Sequence, residues 1–129
     1  MTYLFDTDVV IDFFKKRDQA TRLVNTLAQK HELRTSGIVV AEIRVGWTDQ
    51  EAGIFLPVLH QLFPSVGITE AIAELGGKLR RDYQQRGQHL FLPDALIAAT
   101  AIAEDYCLVT RNTKDFPMTE LTLYREWIA

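Results

Sequence analysis

The sequence predicts an α/β fold in which a mainly parallel sheet is covered by helices on both faces. Three observations carry that expectation. Short β-prone runs at Tyr3-Leu4-Phe5, Leu33–Thr35, Ser65–Ile68 and Cys107–Thr110 alternate with longer helical stretches, the signature of βαβ units. The first and last of these runs are almost wholly apolar, as strands shielded on both faces require. The 129 residues, with 47% apolar and 24% charged side chains and no linker or repeat, suit one globular domain over 1–129.

Taken in order, Tyr3-Leu4-Phe5 is a strand that ends at Asp6, and Val9–Phe14 is a short buried helix that stops near Lys15-Lys16-Arg17. Ala20, Leu23, Val24, Leu27 and Ala28 follow the i, i+3, i+4, i+7 rule of a one-sided helix. After the strand at Leu33–Thr35, Ser36 caps a helix through Val39–Ile43. Thr48 and Glu51 form a capping box ahead of Phe55, Val58, Leu59, Leu62 and Phe63, and Pro57 predicts a kink there or two pieces. Beyond a short strand at Ser65–Ile68, Thr69 caps a helix carrying Ile72, Leu75, Leu79 and Tyr83 that ends at Gly87. Pro93 suits the first turn of an alanine-rich helix from Asp94 to Glu104. The strand Cys107–Thr110 then leads into a polar turn, Arg111–Asp115, and Leu121–Leu123 is expected to add an edge strand.

Composition removes several classes of function. The single cysteine, Cys107, cannot close an internal disulfide, which excludes a stapled secreted scaffold and favours a reducing compartment. Asp94 breaks the most apolar stretch, Leu90–Ala103, well short of the ~20 residues that span a bilayer. The N-terminus has no basic region and brings Asp6 too early for a secretory signal, so a cytoplasmic protein is expected. With a formal charge of −3, any hold on nucleic acid must be local or carried by bound cations.

Four acids are oddly placed. Asp6 closes the first strand, Glu42 lies inside Val39-Val40-Ala41-Glu42-Ile43, Asp94 opens the most apolar helix, and Asp115 ends the turn after the last clear strand. In open α/β sheets the functional crevice lies at the carboxyl ends of the strands, where Asp6 and the Thr110–Asp115 turn both belong. Taken singly, Asp94 reads equally as a charge favoured at a helix start, Asp6 as a turn residue and Asp115 as a loop residue. Glu42, flanked by apolar side chains, needs a buried partner or a function. Gathered together they repel: two charges ~4 Å apart cost about 4 kcal/mol at an effective dielectric near 20. Such a cluster either protonates or binds a divalent cation, and oxygen-only donors select Mg²⁺ or Mn²⁺ over zinc. Mg²⁺ so held meets phosphates, which makes a phosphodiester the natural substrate.

The segments Leu4-Phe5-Asp6-Thr7-Asp8, Ser36 to Gly46 with Glu42, Leu92-Pro93-Asp94-Ala95-Leu96-Ile97-Ala98-Ala99, and Leu108 to Phe116 resemble the four acidic motifs of PIN-domain nucleases. Within that superfamily the chain is most similar to VapC-like toxins of type II toxin–antitoxin modules, over nearly its full length. The resemblance implies a three-layer α/β/α fold with a five-stranded, mainly parallel sheet. It further implies an Mg²⁺-dependent endoribonuclease using a metal-activated water, a homodimer, and inhibition by a cognate VapB-like antitoxin. Asp6, Glu42, Asp94 and Asp115 match the acidic quartet, with Asp6 and Asp94 as direct metal ligands and Glu42 and Asp115 acting directly or through water. Thr110 and Asn112 match positions that shape the site wall. Asp8 departs from the family, which commonly carries Asn there; it reads as a cap for the following helix or as an extra ligand.

Arg111 and Lys114, inside one short turn beside these acids, are the candidate RNA contacts. The runs Lys15-Lys16-Arg17 and Lys78-Arg80-Arg81, with Arg86, read as solvated faces. His31, His60 and His89 share no ligand spacing, and Gly76-Gly77 suggests close helix packing or a bend. Trp47 and Trp127 read as packing or interface residues, and Ile54–Phe63 is equally a partner groove or core. Two rivals remain at this point: an inactive PIN-like interaction module, and a receiver-like Mg²⁺-binding signalling domain. The latter would need a phosphoacceptor Asp after a central strand and a Lys after the last one; Ser65–Ile68 runs into Thr69-Glu70 instead.

Overall fold

The computed structural model describes residues 1–127. Four parallel strands, β1 (Thr2–Phe5), β2 (Glu32–Ser36), β3 (Ser65–Val66) and β4 (Cys107–Val109), form one sheet in the order β3-β2-β1-β4. It is flanked by the helices α1 (Thr7–Phe14), α2 (Asp18–Ala28), α3 (Gly37–Val45), α4 (Asp49–Leu62), α5 (Glu70–Gln85) and α6 (Leu92–Glu104), and a 3₁₀ turn covers Thr113–Asp115. β1 is central, with Tyr3 opposite Leu33 on one side and Cys107 on the other.

The expected fifth strand is absent among the described residues. The segment after Leu121 reaches β4 through one parallel bridge, Leu108 to Leu123. Leu108 N–H donates to the Thr122 carbonyl and Tyr124 N–H to the Leu108 carbonyl, both at 2.8 Å. The reason is geometric. Successive residues of a parallel strand turn their hydrogen-bonding groups to opposite neighbours, so a three-residue β4 has a single residue, Leu108, to offer its outer edge.

Local capping signals produce the helices. Ser36, Thr48 and Thr69 each accept a backbone N–H three residues on, and Thr48 with Glu51 completes a capping box. α4 is one helix, not two pieces, with Pro57 inside it. The carbonyl that Pro57 leaves without a partner belongs to Gly53, and both residues are exposed, so water can serve it. α5 ends as predicted: Gly87 has φ +75° and Gln88 N–H returns to the Tyr83 carbonyl at 2.9 Å.

The core runs from Leu4 and Phe5 of β1 through Leu59, Phe63, Ile97 and Leu108, all fully buried. Phe63 meets Phe5 and Phe13 edge-on at 5.1 and 5.7 Å. The segment Ile54–Phe63 therefore divides, with Leu59 and Phe63 in the core and Ile54, Val58 and Leu62 exposed. Behind the sheet, α5 and α6 meet at Gly76, where an added Cβ would stand 2.6 Å from Leu96 Cδ2; Gly77 faces open space. Cys107 is buried, and burial, reinforced by the Glu126 charge, pushes its thiol up to about 11. No helix among the described residues is long and apolar enough to cross a membrane.

Candidate active site

The strand order reverses between β1 and β4, the switch point beside which open α/β sheets place their functional residues. Phe5 pairs with Val109, so the next residues, Asp6 and Thr110, leave the two strands side by side; Asp6 N–H donates to the Val109 carbonyl at 3.0 Å. α1 starts at Asp6 and α3 at Ser36, which brings Glu42 to the same edge. α6 precedes the parallel strand β4 and runs back along it, so its first turn, with Asp94, begins there too.

Asp6 is buried and caps α1. Its Oδ1 accepts Thr7 N–H at 2.8 Å and its Oδ2 accepts the Thr110 hydroxyl at 2.8 Å. Thr110 is in turn fixed by Asn112 N–H at 3.1 Å. The Thr7 hydroxyl donates to Glu42 Oε1 at 2.6 Å. Asp8 Oδ1 accepts Val9 N–H at 2.7 Å and its Oδ2 accepts Arg111 N–H at 3.0 Å. Among the described residues no donor reaches the Asp94 carboxylate, and Asp115 is exposed on the turn opposite.

These acids feel one another. Burial, then the Asp8 charge, raise the Asp6 carboxyl from 3.8 to about 7 against the lowering pull of the Thr110 and Thr7 bonds; Asp94 adds to the rise. Burial followed by the charges of Asp115, Glu42 and Asp8 raises Asp94 to about 6. Asp8 is raised by burial and by Asp12, while Arg111 pulls the other way. Among the described residues, no group of three or more His, Cys, Asp or Glu side chains is drawn together tightly enough to hold a metal ion as it stands.

The PIN domain model matches residues 3–119. The chain belongs to the PIN domain family. It is 34% identical over 119 residues to Ribonuclease VapC19 of Mycobacterium tuberculosis, covering 89% of this chain and 92% of that protein. Two of the solved structures that share its fold illustrate the likeness. One is the crystal structure of VapBC2 from Rickettsia felis bound to a DNA fragment from their promoter, with TM-score 0.85, 27% identity and coverage of 96% of this chain and 98% of that one. The other is a toxin-antitoxin complex from Klebsiella pneumoniae, with TM-score 0.77, 31% identity and 95% and 96% coverage.

Within this PIN domain, the predicted residues sort by contact. Asp6, Glu42, Asp94 and Asp115 come to one sheet edge with Thr110 and Asn112. Glu42 is exposed rather than buried, because α3 turns Val39 and Ile43 inward and Glu42 toward Thr7. Asp8 is not the helix cap; Asp6 is, and Asp8 lies inside the first turn of α1, reaching across to the turn after β4. Lys114 is exposed. Thr7 and Asp12 went unnoticed in the sequence, although Asp12 stands four residues after Asp8 on one helix face. Beside Glu42, a groove of about 370 Å³ is lined by Ile11, Phe14, Ile43, Trp47 and Phe55. Of the histidines, His60 and His89 are exposed, whereas His31 packs edge-on against Tyr3 at 5.1 Å.

Proposed function

We propose that this PIN domain is the toxin of a toxin–antitoxin pair, an Mg²⁺-dependent endoribonuclease whose metal is held by Asp6 and Asp94 directly and by Glu42 and Asp115 directly or through water. One observation carries the reading: Asp6 and Asp94 sit at the switch point with carboxyls raised by burial and by neighbouring acids rather than paired with a cation. The donors are all oxygen, which suits a hard cation. Mg²⁺ needs only one or two carboxylates because it keeps several waters, so a closed ligand cage is not required. When bound, Mg²⁺, with Mn²⁺ as a substitute, supplies charge neutralisation at the phosphoryl oxygens and a more acidic attacking water.

The chain's own residues have separable tasks. Thr7 and Thr110 orient Asp6, and Asn112 orients Thr110, so that carboxylate meets its ligand without searching rotamers. Thr7 also ties Glu42 to the site. Lys114, exposed on the turn, is available to an RNA phosphate. No His stands among these residues to act as a dedicated base. The partner is a cognate antitoxin, in keeping with the complexes that share this fold. We further read the protein as a cytoplasmic homodimer, its lone cysteine suiting a reducing compartment.

Purified protein is expected to cleave RNA with Mg²⁺, to stop in EDTA and to recover when Mg²⁺ or Mn²⁺ is restored. Asp6→Asn and Asp94→Asn should each lower the rate by about 100-fold or more, the scale of losing a stabilising contact to the transition state. Cleavage that persists in EDTA, or in both variants, overturns the mechanism; a wild-type protein inert under every condition supports the interaction-module rival. Co-expression with the small protein encoded beside it tests the pairing: a complex that silences cleavage supports it, and undiminished cleavage counts against it.

A further inference from the structure

A cation beside a cluster of acids and a phosphodiester site invites assignment to the RNA backbone, but Arg111 is already committed. Its backbone N–H donates to Asp8 Oδ2 at 3.0 Å, its Nε donates to Asp12 Oδ2 at 3.2 Å, and its guanidinium lies over the Trp127 ring, 4.7 Å from the centroid. Asp8 and Asp12 share one face of α1. Trp127 meets Tyr124 edge-on at 5.6 Å, and Tyr124 meets Tyr3 of β1 at 5.9 Å while its backbone bonds to Leu108 of β4. One side chain therefore joins α1, the turn after β4 and the C-terminal segment. That turn carries Asp115, whose charge is the largest one acting on Asp94.

We propose that Arg111 is a positioning residue: held by Asp12 and Trp127, it fixes the turn bearing Asp115 against α1, so that the C-terminal segment sets the spacing of the carboxylates. This rests on the ribonuclease reading above. A guanidinium suits the task, since its plane stacks on an indole while its edge donates to a carboxylate, which an ammonium cannot reproduce. Asp12 also offsets much of the charge that a phosphate would seek.

The test uses the full chain and the variants Trp127→Ala, Trp127→Phe, Arg111→Ala, Arg111→Lys, Asp12→Asn and the double Arg111→Ala/Trp127→Ala. For each, kcat and KM for RNA cleavage and the Mg²⁺ concentration giving half the maximal thermal shift are measured. Displacing one carboxylate should lower kcat by about tenfold in Trp127→Ala and Arg111→Ala with little change in KM. The double variant should be no worse than the poorer single, as for residues acting through one contact. Trp127→Phe should recover most of the loss and Arg111→Lys little, and the half-maximal Mg²⁺ concentration should rise in the same variants that lose kcat. If Trp127→Ala unfolds, Asp12→Asn decides the matter by the same two readouts: a lowered kcat with a raised half-maximal Mg²⁺ concentration supports the proposal, and wild-type values beside an Arg111→Ala that raises KM alone overturn it. The proposal is overturned if Arg111→Ala raises KM alone while the Trp127 and Asp12 variants match wild type, the result expected of a direct RNA contact. An inactive wild type would sink the ribonuclease reading instead, and the Mg²⁺ shift would then judge the positioning role by itself.

Discussion

The α5–α6 seam and the carboxyl edge of β1 and β4 are built on opposite terms. At the seam, Ile72, Leu79, Ile97 and Ala98 are buried, Gly76 admits Leu96, and the buried Thr100 hydroxyl donates to the Leu96 carbonyl at 2.8 Å. Among the described residues, no buried side-chain polar atom of α5 or α6 is left without a partner. At the edge, Asp6 and Asp8 find backbone and hydroxyl donors, yet the charges of Asp6, Asp8 and Asp94 oppose one another and Asp94 has no donor among the described residues. Shape is what folding selects at the seam; the edge keeps a repulsion that folding alone would discard. Close packing and mutual repulsion thus occupy different parts of one small molecule.

The contrast can be broken most decisively with magnesium. At pH 8, above the raised values of Asp6 and Asp94, Mg²⁺ at 100 times its Kd should add about 2.7 kcal/mol to the unfolding free energy. An absent shift in the melting temperature would remove the difference between the two regions. At the seam, Gly76→Val should cost about 1–3 kcal/mol by overpacking against Leu96. Gly77→Ala, one residue along and facing open space, should stabilise by about 0.5–1 kcal/mol, and equal effects at both positions would refute the packing described here.

The pH dependence of the metal-free protein is a finer probe. Asp6 and Asp94 have folded values raised from 3.8 to about 7 and about 6. Their stabilising contribution is therefore complete below about 3.8 and is lost as pH rises through 6 and 7. Metal-free protein should melt higher at pH 5 than at pH 8, each 1 kcal/mol being worth about 3–6 °C at this size. The smallest effect concerns Asp94→Asn. Without metal it should leave the melting temperature unchanged or raise it slightly at pH 8, and it should shrink the magnesium shift; a clear destabilisation would show that Asp94 holds the fold.

What could be read from the sequence was what neighbours along the chain decide. Ser36, Thr48, Thr69 and Gly87 act within a few residues of themselves, and the helix ends they mark are where they were expected. The convergence of Asp6 with Thr110 was legible through a rule of topology rather than of distance. Three features were not. The exposure of Glu42 depends on which face of α3 meets the core, and Val39-Val40-Ala41 supplies apolar residues on more than one side. The missing fifth strand depends on the outer edge of β4 having one residue to share. The grip on Arg111 by Asp12 joins residues 99 apart in sequence, and no local pattern announces it.

Cys107 gives the molecule an internal clock. Its thiol, buried and held at about 11, reacts slowly with electrophiles, since the thiolate is the attacking species and is scarce at neutral pH. Glu126 and Tyr124 of the C-terminal segment lie along the same shallow recess. The rate at which an Ellman-type reagent consumes that one sulfur therefore reports how closely residues 123–126 cover β4, with no label added to the chain.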